Sequence, residues 1–185
     1  MNKKKHIGQI VSFRFEYVNK IEIYRGYIID YNDDWTLLKY NTVDYIIDGY
    51  IILRNKFILS YRLDEEERFY KKVLKLKGES VLPADKIPID TIQSILNHLT
   101  AKFGTFQFDS KSNLYSYIGK VKSIKKNNLT IDSLSPKGVW AETQDYKLGN
   151  IRTIQYDTDY LNSLLLVANQ KKKNKKNTVT SSGSH

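Results

Sequence analysis

Cysteine is absent from this 185-residue chain, and it has only three prolines and three histidines. Without cysteine there are no disulfides, thiolate metal sites, iron–sulfur clusters or cysteine nucleophiles, and a reducing, cytoplasmic location is expected. No eighteen apolar residues run together, which predicts no membrane-spanning helix. Residues 8–17 mix polar with apolar side chains and offer no signal-peptide core.

Sequence patterns for catalysis or cofactor binding are also lacking. Two of the histidines, His6 and His185, lie near the termini, and His98 falls on the polar side of a predicted helix. There is no glycine-rich phosphate loop, nucleophile elbow or histidine metal spacing. The aspartates in 30–34 fit a polar turn better than a cation site. The sequence predicts a non-enzymatic protein with no metal, no cofactor and no small-molecule substrate; an uncharacterised enzyme is the least favoured alternative.

Positive charge is concentrated at the two ends of the chain. The formal net charge is +10, but eight of the 30 basic residues lie within 3–5 and 171–176, so the remainder is nearly neutral. Between the termini, one strand and the turn after it carry a basic stripe. Together with the tail it is the predicted phosphate-contacting surface, and its residues are Lys120, Lys122, Lys125, Lys126, Lys171, Lys172 and Lys173.

The chain matches itself at an offset of 93 residues, from residue 13 to residue 64 without gaps. Most matched positions are apolar, as expected for two copies that share a core. The glycine and aspartate matches lie outside the apolar alternation and therefore carry more weight than the rest. The pairs are Phe13 with Phe106, Phe15 with Phe108, Tyr24 with Tyr117, Gly26 with Gly119, Ile58 with Ile151 and Asp64 with Asp157.

Strand signals in the first copy occur at 9–18, 22–31, 35–40, 45–53 and 57–61, separated by short polar turns. The fold class predicted is mainly β with accessory helices: two tandem five-stranded SH3-like or Sm-like small barrels, each followed by a helix. The boundaries expected are a basic segment 1–8, a barrel and helix 9–78, a linker 79–88, a helix, barrel and helix 89–169, and a disordered lysine-rich tail 170–185. Capping boxes are predicted at Asp64 with Glu67 and at Asp90 with Gln93.

The glycine in the second strand and the tight turn before the last strand resemble the Sm-like fold, the small barrel of RNA-associated ring proteins. Residues 26–32 (GYIIDYN) are similar to its first motif, and residues 53–58 (LRNKFI) and, more weakly, 148–151 (LGNI) to its second. The resemblance implies RNA binding at two loops, one near Asn32 and one near Arg54 or Asn55. The second copy has Lys125 in place of Asn32 and Lys147 in place of Arg54.

Aromatic side chains suggest a further contact surface. Six of the 14 tyrosines fall on repeated apolar positions and are expected to be core or half-buried. Three of the others, with one tryptophan, form a predicted exposed patch on which nucleic-acid bases could stack: Tyr27, Trp35, Tyr45 and Tyr50.

Two hypotheses for function follow. In the first, the chain binds RNA or DNA through its basic stripe and tail. In the second, it is an adaptor or assembly module that binds a protein partner or itself through barrel edge strands. The sequence does not choose between them, and it leaves the ligand, the oligomeric state and the orientation of the barrels open.

Overall fold

The computed structural model describes residues 6–17, 20–111 and 115–181, with side chains through residue 171 except that of residue 17. It contains ten strands and three helices in this part of the chain. The strands are β1 (Ile10–Tyr17), β2 (Lys20–Tyr31), β3 (Trp35–Val43), β4 (Ile46–Arg54), β5 (Ile58–Arg62), β6 (Phe106–Ser110), β7 (Ser116–Lys125), β8 (Asn128–Leu134), β9 (Trp140–Lys147) and β10 (Ile151–Tyr156). The helices are α1 (Glu65–Leu76), α2 (Ile92–Phe103) and α3 (Asp159–Ser181).

All ten strands belong to one antiparallel sheet. Their order is β5-β1-β2-β3-β4-β10-β6-β7-β8-β9. The two halves, predicted as tandem small barrels, therefore share one continuous sheet and do not form two closed barrels. The two halves meet where β4 pairs with β10, with Ile52 opposite Ile154, because each of these strands has one side that its own half leaves unpaired.

The order of strands in the first half is repeated in the second. Bulges also recur at positions 93 residues apart: between Ile28 and Asp30 where β2 pairs with β3, and between Val121 and Ser123 where β7 pairs with β8. The constant offset fails in the first strand, however.

The first strand corresponds at an offset of 95. Phe13 lies opposite Tyr24, and it is Phe108, not Phe106, that lies opposite Tyr117. Phe13 precedes its partner by eleven residues and Phe108 by nine, so the hairpin of the first half is two residues longer. An ungapped alignment cannot detect this, because a shift of two residues keeps the apolar alternation of a strand.

The hydrophobic core crosses from one half to the other. One cluster takes Trp35, Leu37 and Ile52 from the first half and packs them with α2, β6, β8 and β10. A second cluster fills the interior between β1, β2, β3 and β4. The shared cluster explains why the segment 79–88, predicted to be a linker, is packed: it contains a 3₁₀ turn (Pro83–Asp85), and both Asp85 and Ile87 are buried.

Helix ends follow polar capping residues. The predicted capping box of α1 is confirmed, since Asp64 Oδ1 accepts from the amide of Glu66 and Glu67 Oε2 accepts from the amide of Asp64. The N-cap of α2 is Thr91, whose Oγ1 accepts from the amide of Ser94. The sequence predicted Asp90, one position earlier, as this cap.

The third helix is longer than predicted. It extends to Ser181, so most of the segment 170–185, expected to be a disordered tail, is helical. Within the described residues, no helix combines the length and the apolar character needed to cross a bilayer.

Glu67 is the most completely buried acidic side chain of α1, with 0% of its side chain exposed. Ser12 Oγ donates to its Oε1 at 2.6 Å and Arg62 Nε donates to the same oxygen at 3.1 Å. Burial alone would raise the pKa of Glu67, but the hydrogen bonds from Ser12 and from the amide of Asp64 outweigh it and lower the pKa to about 2. This carboxylate ties α1 to β1.

The low pKa of Glu67 makes the fold acid-sensitive. Since it lies below the ordinary value of 4.5, the charged form stabilises the fold above about pH 4.5, and this contribution is lost as the pH falls toward 2. We expect Glu67→Gln to lower the free energy of unfolding at neutral pH by about 2 kcal/mol, measured by urea unfolding. In this variant the free energy of unfolding should also fall less steeply as the pH is lowered below about 4.5. Glu65→Gln, on the same turn but exposed, should leave the pH dependence of stability unchanged. An unchanged pH dependence in Glu67→Gln would show that Glu67 is not the source of the acid sensitivity.

Candidate nucleic-acid interface

The loop between β2 and β3 is organised by Asn32. Its Oδ1 accepts from the amides of Asp34 at 2.9 Å and Trp35 at 2.7 Å, and its Nδ2 donates to the carbonyl of Ile89 at 2.6 Å. All these contacts are internal, so Asn32 shapes the loop and fastens it to the segment before α2.

The turn between β4 and β5 lies against this loop. Asn55 Nδ2 donates to the carbonyls of Asn32 at 2.8 Å and Asp33 at 2.9 Å. The structure therefore brings together Asn32 and the Arg54 turn, the two places that the sequence singled out in the first half.

Arg54 connects the two halves. Its Nη1 donates to the carbonyls of Gly149 at 3.0 Å and Leu148 at 3.4 Å, in the turn between β9 and β10, and to that of Ile151, the first residue of β10, at 3.3 Å. Its guanidinium carbon is 5.3 Å from the centre of the Trp35 ring. Arg54 thus holds the turn between β9 and β10 beside the turn between β4 and β5. This arrangement depends on the pairing of β4 with β10.

A cavity of about 430 Å³ lies where these turns meet. Both turns are held by equivalent backbone bonds, from the amide of Asn55 to the carbonyl of Asp34 and from the amide of Leu148 to the carbonyl of Asn127. The cavity therefore has walls from both halves and from the start of α2. Its lining residues are Arg54, Ile92, Gln93, Asn127, Lys147, Leu148 and Gly149.

Two cations, Arg54 and Lys147, line this cavity, and two more lie on the neighbouring chain segments. Partial burial and the charges of Arg54 and Lys111 lower the pKa of Lys56, while Asp34 acts in the opposite direction. Lys111 lies beside the turn between β9 and β10, because its amide donates to the carbonyl of Asn150 in that turn. Lys147, at the position corresponding to Arg54, donates to Asn128 Oδ1 at 2.7 Å. We call Arg54, Lys56, Lys111 and Lys147 the junction cations.

The predicted basic stripe does not form one face. The bulge in β7 places Lys122 between two paired residues and interrupts the alternation on which the stripe depended. Lys120 is half-buried, with its Nζ 4.5 Å from the centre of the Trp140 ring. Lys125 and Lys126 are exposed at the end of the hairpin, next to Asn127 of the cavity.

The lysines of the C-terminal segment lie on another part of the molecule. Lys171 Nζ donates to the carbonyl of Lys137, in the turn between β8 and β9. The side chains of Lys172 and Lys173, also predicted to contact phosphate, lie outside the described residues.

The predicted exposed aromatic patch is wrong, because two of its members are buried and the four divide between two hydrophobic clusters, Tyr27 with Tyr45 and Trp35 with Tyr50. Tyr27 and Trp35 are buried, at 3% and 2% exposure. Tyr45 packs against the aromatic rings of α1, with its ring centre 4.9 Å from that of Tyr70. Tyr50 stacks on Tyr156 and donates to Asp85.

Sequence reasoning missed three of the four junction cations and the cavity. Lys147 was noticed only as the replacement for Arg54, and Lys56 and Lys111 are single lysines without a motif. These residues could be grouped only with knowledge of the β4–β10 pairing, because that pairing brings into contact two turns that lie more than 90 residues apart in the sequence.

Groups of side chains suited to a metal ion are not found in the described residues, where no three His, Cys, Asp or Glu cluster. Comparison of the chain with family models, curated proteins and solved structures finds no match.

Proposed function

We propose that the chain is a non-enzymatic binding protein that holds single-stranded RNA or DNA at the junction of its two halves. The observation that carries this proposal is a cavity with walls from both halves that Arg54 and Lys147 line, with Lys56 and Lys111 close enough for Lys56 to feel the charges of Arg54 and Lys111. Like charges repel at short distance, so such a group favours a polyanion that neutralises it.

We further propose that each half is one Sm-like module. Three features support it: the repeated strand order, the recurring bulges, and two glycines at which a neighbouring strand passes very close. A Cβ on Gly26 would lie 2.3 Å from the carbonyl of Lys39, and one on Gly119 would lie 2.4 Å from that of Asp132. The residues contacted are again 93 apart.

The walls of the cavity suit a nucleotide. Arg54 and Lys147, which line the cavity, offer cationic groups for phosphate, and Lys56 lies close enough to Arg54 to feel its charge. Ile92 and Leu148 supply apolar surface against which a base can pack. A volume of about 430 Å³ is within the range of small-ligand sites.

Binding is tested by fluorescence anisotropy with labelled single-stranded RNA and DNA over a range of salt concentrations. We expect binding that weakens with salt. Double reversal of Lys56 and Lys111 to glutamate should weaken it at least about tenfold and reduce the logarithmic salt slope by about 1.4, from about 0.7 per lost phosphate contact on a single strand.

The matched control introduces the same charge elsewhere. Lys72→Glu changes an exposed lysine of α1, and the double variant with Lys75→Glu carries the same net charge as the test variant. If wild-type chain shows no binding at low salt, or if the α1 control loses as much affinity as the test variant, the junction is not a nucleic-acid site.

A further inference from the structure

A tyrosine ring that fills the interior of the first half has no counterpart in the second. Tyr40 of β3 lies opposite Gly26, and it packs half-buried against the cluster that fills the first half. Its ring centre is 6.1 Å from that of Tyr24. At the corresponding position of β8, opposite Gly119, the second half has Ser133. The second half therefore lacks the ring that Tyr40 supplies.

The strands around this position keep the same register in both halves. On β7, Tyr117 stands where β2 has Tyr24. On β9, Gln144 stands where β4 has Ile51. The second half has thus kept the aromatic neighbour of Tyr40, while it has a hydroxyl in place of the ring itself and an amide in place of an aliphatic side chain.

A cavity of about 230 Å³ lies beside Ser133 in the second half. Its apolar walls include Leu134 and the rings of Tyr117 and Tyr146, whose centres are 4.5 Å apart. Ser133 and Gln144 are among its polar lining residues, and none of the described residues that line it is charged. Its volume is below the range of about 300–1,000 Å³ that is typical of drug-sized ligands, so it suits a single small ring.

The hydroxyl of Ser133 points to a ligand independently of the missing ring. Its Oγ is buried and has no hydrogen-bond partner among the described residues. Buried hydroxyl groups are nearly always hydrogen-bonded, because a buried polar group without a partner loses its contacts with water and gains none. A hydroxyl on a bound ring can supply this partner.

Gln144 offers a second polar group to a ligand. The hydroxyl of Tyr146 donates to Gln144 Oε1, which orients the amide and leaves its nitrogen as a donor. Neither group carries a charge, so the site matches an uncharged ligand with polar atoms at the edge of its ring.

We infer that the second half binds a small uncharged phenol, whose ring takes the place that Tyr40 fills in the first half and whose hydroxyl bonds to Ser133. The ring packs against Tyr117 and Tyr146. The cavity does not share its described lining residues with the cavity at the junction of the halves, so this site does not depend on the binding of nucleic acid there.

Titration of the isotope-labelled full chain with phenol and, separately, with benzene tests this inference by amide NMR shifts. Phenol should shift amides within residues 116–118, 133–135 and 141–146. Benzene should shift the same amides but bind at least about threefold more weakly, because it cannot form the hydrogen bond with Ser133. Phenol shifts that are absent, or that lie elsewhere in the chain, would overturn the inference.

Two variants of Ser133 separate the ring from the hydrogen bond. Ser133→Tyr supplies the ring found in the first half and should abolish binding of both probes. Ser133→Ala keeps the cavity but should remove the preference for phenol over benzene. Ser163→Tyr, which adds the same ring to an exposed position of α3, should bind phenol as wild type does.

Three results with these probes would contradict the assignment. The first is phenol binding to Ser133→Tyr as tight as to wild type, and the second is an unchanged preference for phenol in Ser133→Ala. The third is uridine binding at these amides more tightly than phenol, which would make the cavity a nucleobase site.

Discussion

Replacement of Gly26 by alanine is expected to remove much of the stability of the fold. The new Cβ would lie 2.3 Å from the carbonyl oxygen of Lys39 and 3.1 Å from Cβ of Leu38, both in the neighbouring strand β3. Backbone atoms in the middle of a sheet cannot move aside as the end of a flexible side chain can. We expect a loss of about 3 kcal/mol or more in the free energy of unfolding, measured by urea unfolding followed by circular dichroism.

Two other glycines provide the comparison for Gly26. Gly119→Ala should have a similar effect, because its Cβ would lie 2.4 Å from the carbonyl of Asp132. Gly149→Ala should be nearly neutral, since no atom lies within 4 Å of a Cβ there. Equal stabilities of the Gly26 and Gly149 variants would show that β2 and β3 do not approach as described.

Arg152→Ala is expected to have the second large effect, at the junction itself. It removes a fully buried side chain and leaves Glu22 and Asp109, 3.6 and 4.0 Å away, without this cation. Breaking a buried ion pair by removing one partner costs about 3–5 kcal/mol. Urea unfolding should show a loss in this range and, because the guanidinium links the halves, a broader transition.

The control for Arg152 is Leu59, which lies 93 residues earlier and is the extra residue of a bulge in β5. Leu59→Ala changes an exposed side chain and should cost well under about 1 kcal/mol. Arg152→Met, which keeps the volume and removes the charge, should be less harmful than Arg152→Ala if packing carries part of the effect. Arg152→Ala as stable as Leu59→Ala would mean that β10 is not inserted beside β4.

Local features of the fold could be predicted from the sequence. Alternating apolar residues and short polar turns located the strands of the first half, and Asp64 with Glu67 located the start of α1. These features depend on neighbouring residues, so the pattern along the chain contains the information. The close approach of backbone at Gly26 and Gly119 could also be anticipated, since a glycine within a strand signals such an approach.

The joining of the halves could not be predicted in the same way. The β4–β10 pairing depends on which unpaired edges meet, and no local pattern specifies that. For the same reason Arg152 resembles a surface residue of a strand in the sequence, although it is fully buried at the junction.

Two errors at the candidate site have local physical causes. Lys120 and Lys122 were placed on one face by simple alternation, which a bulge interrupts. Trp35 was expected on the surface because it does not fall on a repeated apolar position, but it is buried in the core cluster that the two halves share. The junction cations were missed because their grouping depends on the pairing of the two halves.

Photocrosslinking with a single-stranded oligonucleotide that carries a thio-substituted base shows whether a bound strand lies at the junction of the two halves. Mass spectrometry of the crosslinked peptides would identify the residues in contact. The account predicts crosslinks in both turns of the junction, within residues 54–57 and 147–150, and their joint loss in the Lys56→Glu, Lys111→Glu double variant. Crosslinks confined to residues 120–122 or to the lysine-rich end of α3 would contradict it.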